Sequence, residues 1–179
     1  MRNRLVQQVV DGNEDAFEEL VQKYRHSVLN TIYRYIGDSV EAEDIAQEVF
    51  VKVWQHAKSF KGKSEFSTWL YRIVVNHCLN YRAKKKENHT TLNRPIKDKN
   101  SKDDASFEQE ERKAVVKEAV NELPERQRIA LILSKFEGKS YKEIAQIIGI
   151  SLSSVESLIF RAKENLRKKL LPLIEKSEI

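Results

Sequence analysis

Between Ser140 and Arg161 the sequence SYKEIAQIIGISLSSVESLIFR leaves little freedom in how it folds. Ser140 and Glu143 have capping-box spacing: the hydroxyl accepts from the amide three residues on, and the carboxylate reaches back to the serine amide. The helix opened there has Ile144, Ala145 and Ile148 as its predicted inward face. Gly149 provides the permissive backbone that ends it. Ile150 plugs the corner, and Ser151 caps a second helix whose inward face is Val155, Leu158, Ile159 and Ala162. A small alanine facing a glycine turn lets the two helices cross closely. This is helix-turn-helix geometry, in which the second helix can lie in a DNA major groove.

Two amphipathic helices at a glycine turn also make a plain helical hairpin, so the flanks matter. Arg161, Lys163, Arg167, Lys168 and Lys169 extend the second helix as a basic rail, and Lys139 and Lys142 stand at the start of the first. Free amides there attract phosphate too. Ser140 to Lys169 therefore reads as a duplex-DNA reader.

The chain has 179 residues, room for one modest domain or two small ones. Five glycines and three prolines are few, which together with abundant Glu, Lys, Leu, Ile and Ala predicts an all-α protein. A single cysteine, Cys78, excludes an internal disulfide, and four scattered histidines give no metal spacing, so neither metal nor cofactor is expected. The amino terminus lacks a signal-peptide core and no segment is apolar for long enough to span a bilayer. A cytoplasmic protein without membrane insertion is the expectation. The net charge of +5 is too modest to identify an anionic partner by itself.

Asn13 caps a first long helix with Phe17, Leu20, Val21, Tyr24, Val28, Ile32 and Tyr35 at helical spacing, and Gly37 stops it. Asp38 or Ser39 caps the next, whose inward face is Ala42, Ile45, Ala46, Val49, Phe50, Val53, Trp54 and Ala57. On its other face Asp44, Gln47 and Glu48 lie within one turn, with Val51 extending the surface; such a face can receive an arginine-bearing helix or simply be solvated. The loop from Lys58 to Ser67 is basic, with Lys61 and Lys63, and carries Phe60 and Phe66, a mixture suited to single-stranded nucleic acid; one of the two rings is expected to anchor the loop.

A third long helix predicts Phe66, Trp69, Leu70, Ile73, Val74, His77, Cys78 and Tyr81 inward, leaving Tyr71, Arg72, Asn76, Asn80 and Arg82 outward. Arginine contacts phosphate and asparagine reads base edges, so this outward face suits DNA as well as it suits water. From Glu87 to about Ser106 hydrophobic periodicity disappears, which predicts a flexible linker over 87–106 between an amino-terminal domain at 1–86 and a carboxy-terminal one at 107–179. Helical patterning resumes from Phe107 to Leu123. Pro124 then starts a helix packed by Ile129, Ala130, Leu133 and Phe136.

EAEDIAQEVFVKVW, FSTWLYRIVVNHCLNYRAKKK and LPERQRIALILSKFEGKSYKEIAQIIGISLSSVESLIFRAKENLRKKL together resemble the bacterial RNA polymerase sigma factors of the extracytoplasmic-function group, in order and over nearly the whole chain. The resemblance implies a promoter-specificity subunit that binds core RNA polymerase, recognises promoter DNA and is held in check by an anti-sigma factor. It gives Asp44, Gln47, Glu48 and Val51 the polymerase-binding role. It places Lys61, Lys63, Phe66, Ser67, Tyr71, Arg72, Asn76 and Asn80 near the unpaired minus-ten strand, and Ser140, Tyr141, Ser153, Ser154, Glu156, Ser157, Phe160, Arg161 and Lys163 at the minus-thirty-five duplex. Family members often carry a basic residue where this chain has Glu156. A carboxylate there can accept from a cytosine amino group, pair with Lys163 or point away.

Two other readings fit parts of the pattern: a conventional helix-turn-helix regulator with a helical sensor or dimerisation domain, and an adaptor whose two helical domains dock proteins. No nucleophile with its base, phosphate-cradling glycine loop or metal cage is present in the sequence, so no catalysis by the chain itself is expected.

Overall fold

The computed structural model describes residues 4–88 and 104–177, and the regular elements among them are helical. α1 is Arg4–Val10, α2 Glu14–Ile36, α3 Ser39–His56, α4 Phe66–Asn88, α5 Asp104–Asn121, α6 Glu125–Lys135, α7 Tyr141–Ile148 and α8 Leu152–Ser177, with a single 3-10 turn, Ala57–Ser59, after α3. The cap signals set the boundaries. The Asn13 side chain accepts from the Ala16 amide at 2.8 Å, and Gly37 closes α2 with φ 92° while its amide donates to the Tyr33 carbonyl at 2.8 Å. Asp38, not Ser39, caps α3, accepting from the Glu41 amide at 2.9 Å.

α1 was not foreseen. Its seven residues carry no cap signal, and it is held by burying Val6 and Val9 against α2. α2, α3 and α4 pack pairwise around Leu20, Val28, Ile32, Val49, Val53, Leu70 and Val74. α6, α7 and α8 form a second group, with α5 against α8.

These groups are not insulated from each other. α7 lies on α4 and α6 on α2, and buried residues from Val6 to Ile159 form one cluster. This second layer explains where burial departs from single-helix patterning. Tyr71 and Val75 on α4 and Ile147 on α7, all outside the predicted inward faces, are buried. Phe136 departs the other way: expected inward, it is 52% exposed, with the Arg34 guanidinium 3.9 Å from its ring centre. α6 ends at Lys135, so Phe136 leaves the phase of that helix. Of the predicted linker, residues 87–88 continue α4 and 104–106 begin α5; its remainder, 89–103, lies outside the described residues.

Candidate nucleic-acid and protein interfaces

In the helix-turn-helix, the Ser140 hydroxyl accepts from the Glu143 amide at 3.3 Å while the Ser140 amide donates to the Glu143 carboxylate at 2.9 Å, closing the capping box. The Ser140 hydroxyl also donates to that carboxylate at 2.7 Å, and this bond first, with the amide's second, holds the Glu143 carboxyl below its ordinary pKa. Gly149 sits at φ 77°, in the left-handed region that glycine adopts without a Cβ clash. The Ser151 hydroxyl accepts from the Ser154 amide at 3.2 Å. α7 and α8 then diverge by 102°. Val155, Ile159 and Ala162 are buried between them and α6, and the opposite side of α8 leaves Ser153, Ser154, Glu156, Ser157, Phe160, Arg161 and Lys163 exposed.

Phe160 is 67% exposed, an apolar ring on a face otherwise made of hydroxyls and charges. Glu156 has no ion-pair partner among the described residues, so a pair with Lys163 does not form. Ser140 is exposed and Tyr141 half-buried at the start of α7. Lys142 is exposed there as well. Lys139 is not: its ammonium lies 3.5 Å from Glu143 and donates to the Ser67 hydroxyl at 3.2 Å.

On α3, Asp44, Gln47, Glu48 and Val51 are exposed in one stripe, as their spacing requires. Glu48 also stands 3.7 Å from His77 on α4. Burial, then Lys52, lowers the His77 pKa, and Glu48 opposes them. Beside this stripe a groove of about 660 Å³ runs between α2 and α3, with Phe17, Val21, Phe50 and Trp54 in its lining and Gln47 and Val51 on its rim. Patterning of single helices missed the groove, because its lining is shared between α2 and α3.

The basic loop after α3 leaves Lys61 and Lys63 exposed. Its rings turn inward: Phe60, Phe66 and Trp69 pack edge-to-face or tilted with centroids 5.5 Å apart, and Tyr24 lies 5.8 Å from Phe66. Both phenylalanines therefore anchor the loop, where one was expected to. On α4, Arg72, Asn76 and Asn80 are exposed and Ser67 is half-buried.

Tyr71, expected on the outward face, is 3% exposed; its hydroxyl donates to the Glu137 carboxylate and Lys139 sits over its ring. Burial first, and that hydrogen bond second, push the phenol pKa well up. Burial also pushes the Cys78 thiol to about 12, which removes it as a nucleophile. Among the described residues no group of three or more His, Cys, Asp or Glu could hold a metal ion. Among the described residues no single helix is long and apolar enough to cross a membrane.

Comparison with known proteins follows the same division of the chain. Family models described as Sigma-70 region 2 and Sigma-70, region 4 match residues 20–88 and 113–166. The RNA polymerase sigma-H factor of Pseudomonas aeruginosa is 37% identical, covering 97% of this chain and 96% of that protein. The ECF RNA polymerase sigma-E factor of Escherichia coli K12 is 35% identical over 96% of this chain and 95% of its own length. Among solved structures, the sigma factor RpoE of Bartonella quintana, in complex with the anti-sigma factor NepR, superposes with a TM-score of 0.69 at 23% identity, covering 86% of this chain and 96% of that one.

Proposed function

The chain belongs to the extracytoplasmic-function group of sigma-70 factors, and from that premise we propose how its surfaces divide the work of promoter-specific transcription initiation. The amino-terminal unit, residues 1–86, docks on core RNA polymerase and engages the minus-ten element. The carboxy-terminal unit, residues 107–179, reads the minus-thirty-five element as duplex, and residues 87–106 connect them. The reaction chemistry belongs to the polymerase, and the chain works where polymerase and promoter are, in the cytoplasm.

The stripe of Asp44, Gln47, Glu48 and Val51 suits a partner helix that brings arginine or lysine to the carboxylates and an apolar side chain to Val51. Lys61, Lys63, Arg72, Asn76 and Asn80 offer the minus-ten strand donors for phosphate and base edges. Ser67 and Tyr71 complete that surface only when uncovered, and Phe66 supports it from beneath. On α8, Ser153, Ser154, Glu156, Ser157 and Phe160 face the major groove, with Arg161 and Lys163 on phosphates and Ser140 and Tyr141 at the backbone. Phe160 suits a thymine methyl. Glu156 suits a cytosine amino group.

The observation that carries this reading is the pairing, in one chain, of a 102° helix-turn-helix with an exposed DNA-facing helix and an uncovered acidic stripe on α3. A regulator that binds duplex alone does not need the second. Because the related sigma factor above was solved with an anti-sigma factor, we also propose a protein inhibitor of that class as a partner.

Co-elution with core RNA polymerase tests the assignment. Wild type should co-elute, and the double change Asp44→Ala, Glu48→Ala should abolish or greatly weaken it. Wild type that ignores polymerase yet binds duplex DNA unaided would make the chain a conventional regulator and remove the role given to α3.

A further inference from the structure

On the outward side of α8 the side chains that can meet base edges form one short stripe. Ser153, Glu156, Ser157 and Phe160 recur at i, i+3, i+4 and i+7, opposite the buried Val155, Ile159 and Ala162. Arg161 and Lys163 are not part of it. At about 100° of turn per residue they fall on its two flanks, where a helix seated in a groove meets phosphate.

What the stripe lacks is a donor for guanine. From Leu152 to Phe160 there is no Lys, Arg, His, Asn or Gln. The Ser157 hydroxyl donates to the Ser153 carbonyl at 3.0 Å, so toward a base it offers lone pairs. The Ser153 and Ser154 hydroxyls lie 3.1 and 2.7 Å from that of Ser151. The Glu156 carboxylate is exposed and has no ion-pair partner among the described residues.

A carboxylate carried into a groove loses water beside phosphates that repel it, a cost that a donor on a base edge offsets. The major groove has two such donors, the N4 amino group of cytosine and the N6 amino group of adenine. Adenine's stands between two acceptors, its own N7 and O4 of the paired thymine. Cytosine's has an acceptor, guanine O6, on one side only, and C5–H on the other, so a carboxylate favours cytosine. Phe160, 67% exposed and one turn further along, matches a thymine methyl. Four residues of helix rise about 6 Å, close to two base-pair steps of about 3.4 Å.

We propose that Glu156 is the specificity-determining residue of the duplex reader, selecting a cytosine in the minus-thirty-five element with a thymine under Phe160 within about two base pairs of it. It acts chiefly by rejection, because the uncompensated carboxylate penalises every duplex that lacks the amino group. The proposal rests on the role given to α8 above.

In the test, full-length chain bound to core RNA polymerase is offered a fully randomised pool of duplex DNA. The retained duplexes are sequenced, and competition binding then compares the best sequence with its single-base-pair variants. Wild type should retain an element with a cytosine whose replacement weakens binding about tenfold, the effect of one mismatched pair. Glu156→Ala should bring that discrimination within about twofold, mostly through tighter binding of the duplexes without cytosine. Glu156→Gln, whose amide both donates and accepts, should move the preference at the same pair to adenine. Phe160→Ala should relax the neighbouring thymine alone.

Base preferences identical in wild type and both Glu156 variants, or a Glu156-dependent pair at which wild type selects adenine, would overturn the role of Glu156 while leaving α8 a duplex reader. A thymine preference that survives Phe160→Ala would overturn the contact with the methyl group. If the double change Arg161→Ala, Lys163→Ala leaves retention of the element unaltered, α8 is not the reader, and the proposal falls with that assignment.

Discussion

Replacing Arg128 with methionine should destabilise the fold by about 2–4 kcal/mol, and the reason lies in an unusual environment for a guanidinium. Arg128 is 1% exposed and has no carboxylate in its hydrogen-bond set. Instead it donates to the carbonyls of Tyr35 at 3.1 Å, Val120 at 3.0 Å and Leu123 at 3.2 Å. Tyr35 ends α2, and Val120 and Leu123 bracket the end of α5, so two helix termini supply partial negative charge where a counter-ion is expected. Burial, followed by neighbouring Arg82, lowers its pKa to about 10, which leaves it charged at neutral pH.

Methionine keeps most of the apolar stem but donates nothing. The Val120 carbonyl still accepts from the Leu123 amide at 3.2 Å, leaving the Tyr35 and Leu123 carbonyls as the principal losses. At about 1–3 kcal/mol for each buried acceptor left unpaired, the gross cost is roughly 2–6 kcal/mol. Relief from burying a charge offsets part of it, which gives the net figure. The assay is urea unfolding followed by circular dichroism: the midpoint should fall with an unchanged slope, and thermal melting should drop by roughly 5–15 °C. Arg128→Lys should recover little, since an ammonium cannot reach three carbonyls spread across a planar fork. A midpoint change worth less than about 0.5 kcal/mol would refute the claim that helix-end carbonyls depend on this side chain.

Gly149→Ala forces a Cβ into left-handed backbone and should cost about 1–2 kcal/mol by the same unfolding measurement, although no atom crowds the new carbon. Arg161→Ala and Lys163→Ala, titrated with promoter DNA and polymerase across a salt series, should each lower the slope of log affinity against log salt by about 0.9. Lowering the pH should destabilise the fold through His77. Its folded pKa is depressed, so its neutral form is the one the fold accepts; stability is unaffected above the unfolded value of about 6.5 and falls below it, where the unfolded chain takes up the proton first. Unfolding midpoints measured at neutral and mildly acidic pH should converge in His77→Gln.

The capping box at Ser140, the left-handed Gly37 and Gly149, the Asn13 cap and the inward rows of α2, α3 and α8 are consequences of local chemistry, so the order of long helices and the helix-turn-helix were legible without coordinates. So was the exposure of Asp44, Gln47, Glu48 and Val51, because a single amphipathic helix determines its own outer face. What lay beyond local chemistry is what a second layer does to a helix. Periodicity counts one buried stripe, but α4 is covered on two sides, so Tyr71 and Val75 leave the surface and Ser67 and Arg72 acquire partners more than seventy residues away. Glu137 and Arg128 read as ordinary charged positions in a basic, acidic-flecked sequence. Their roles arise only where chain ends of helices and facing hydroxyls converge in space, and no spacing along the chain encodes that convergence.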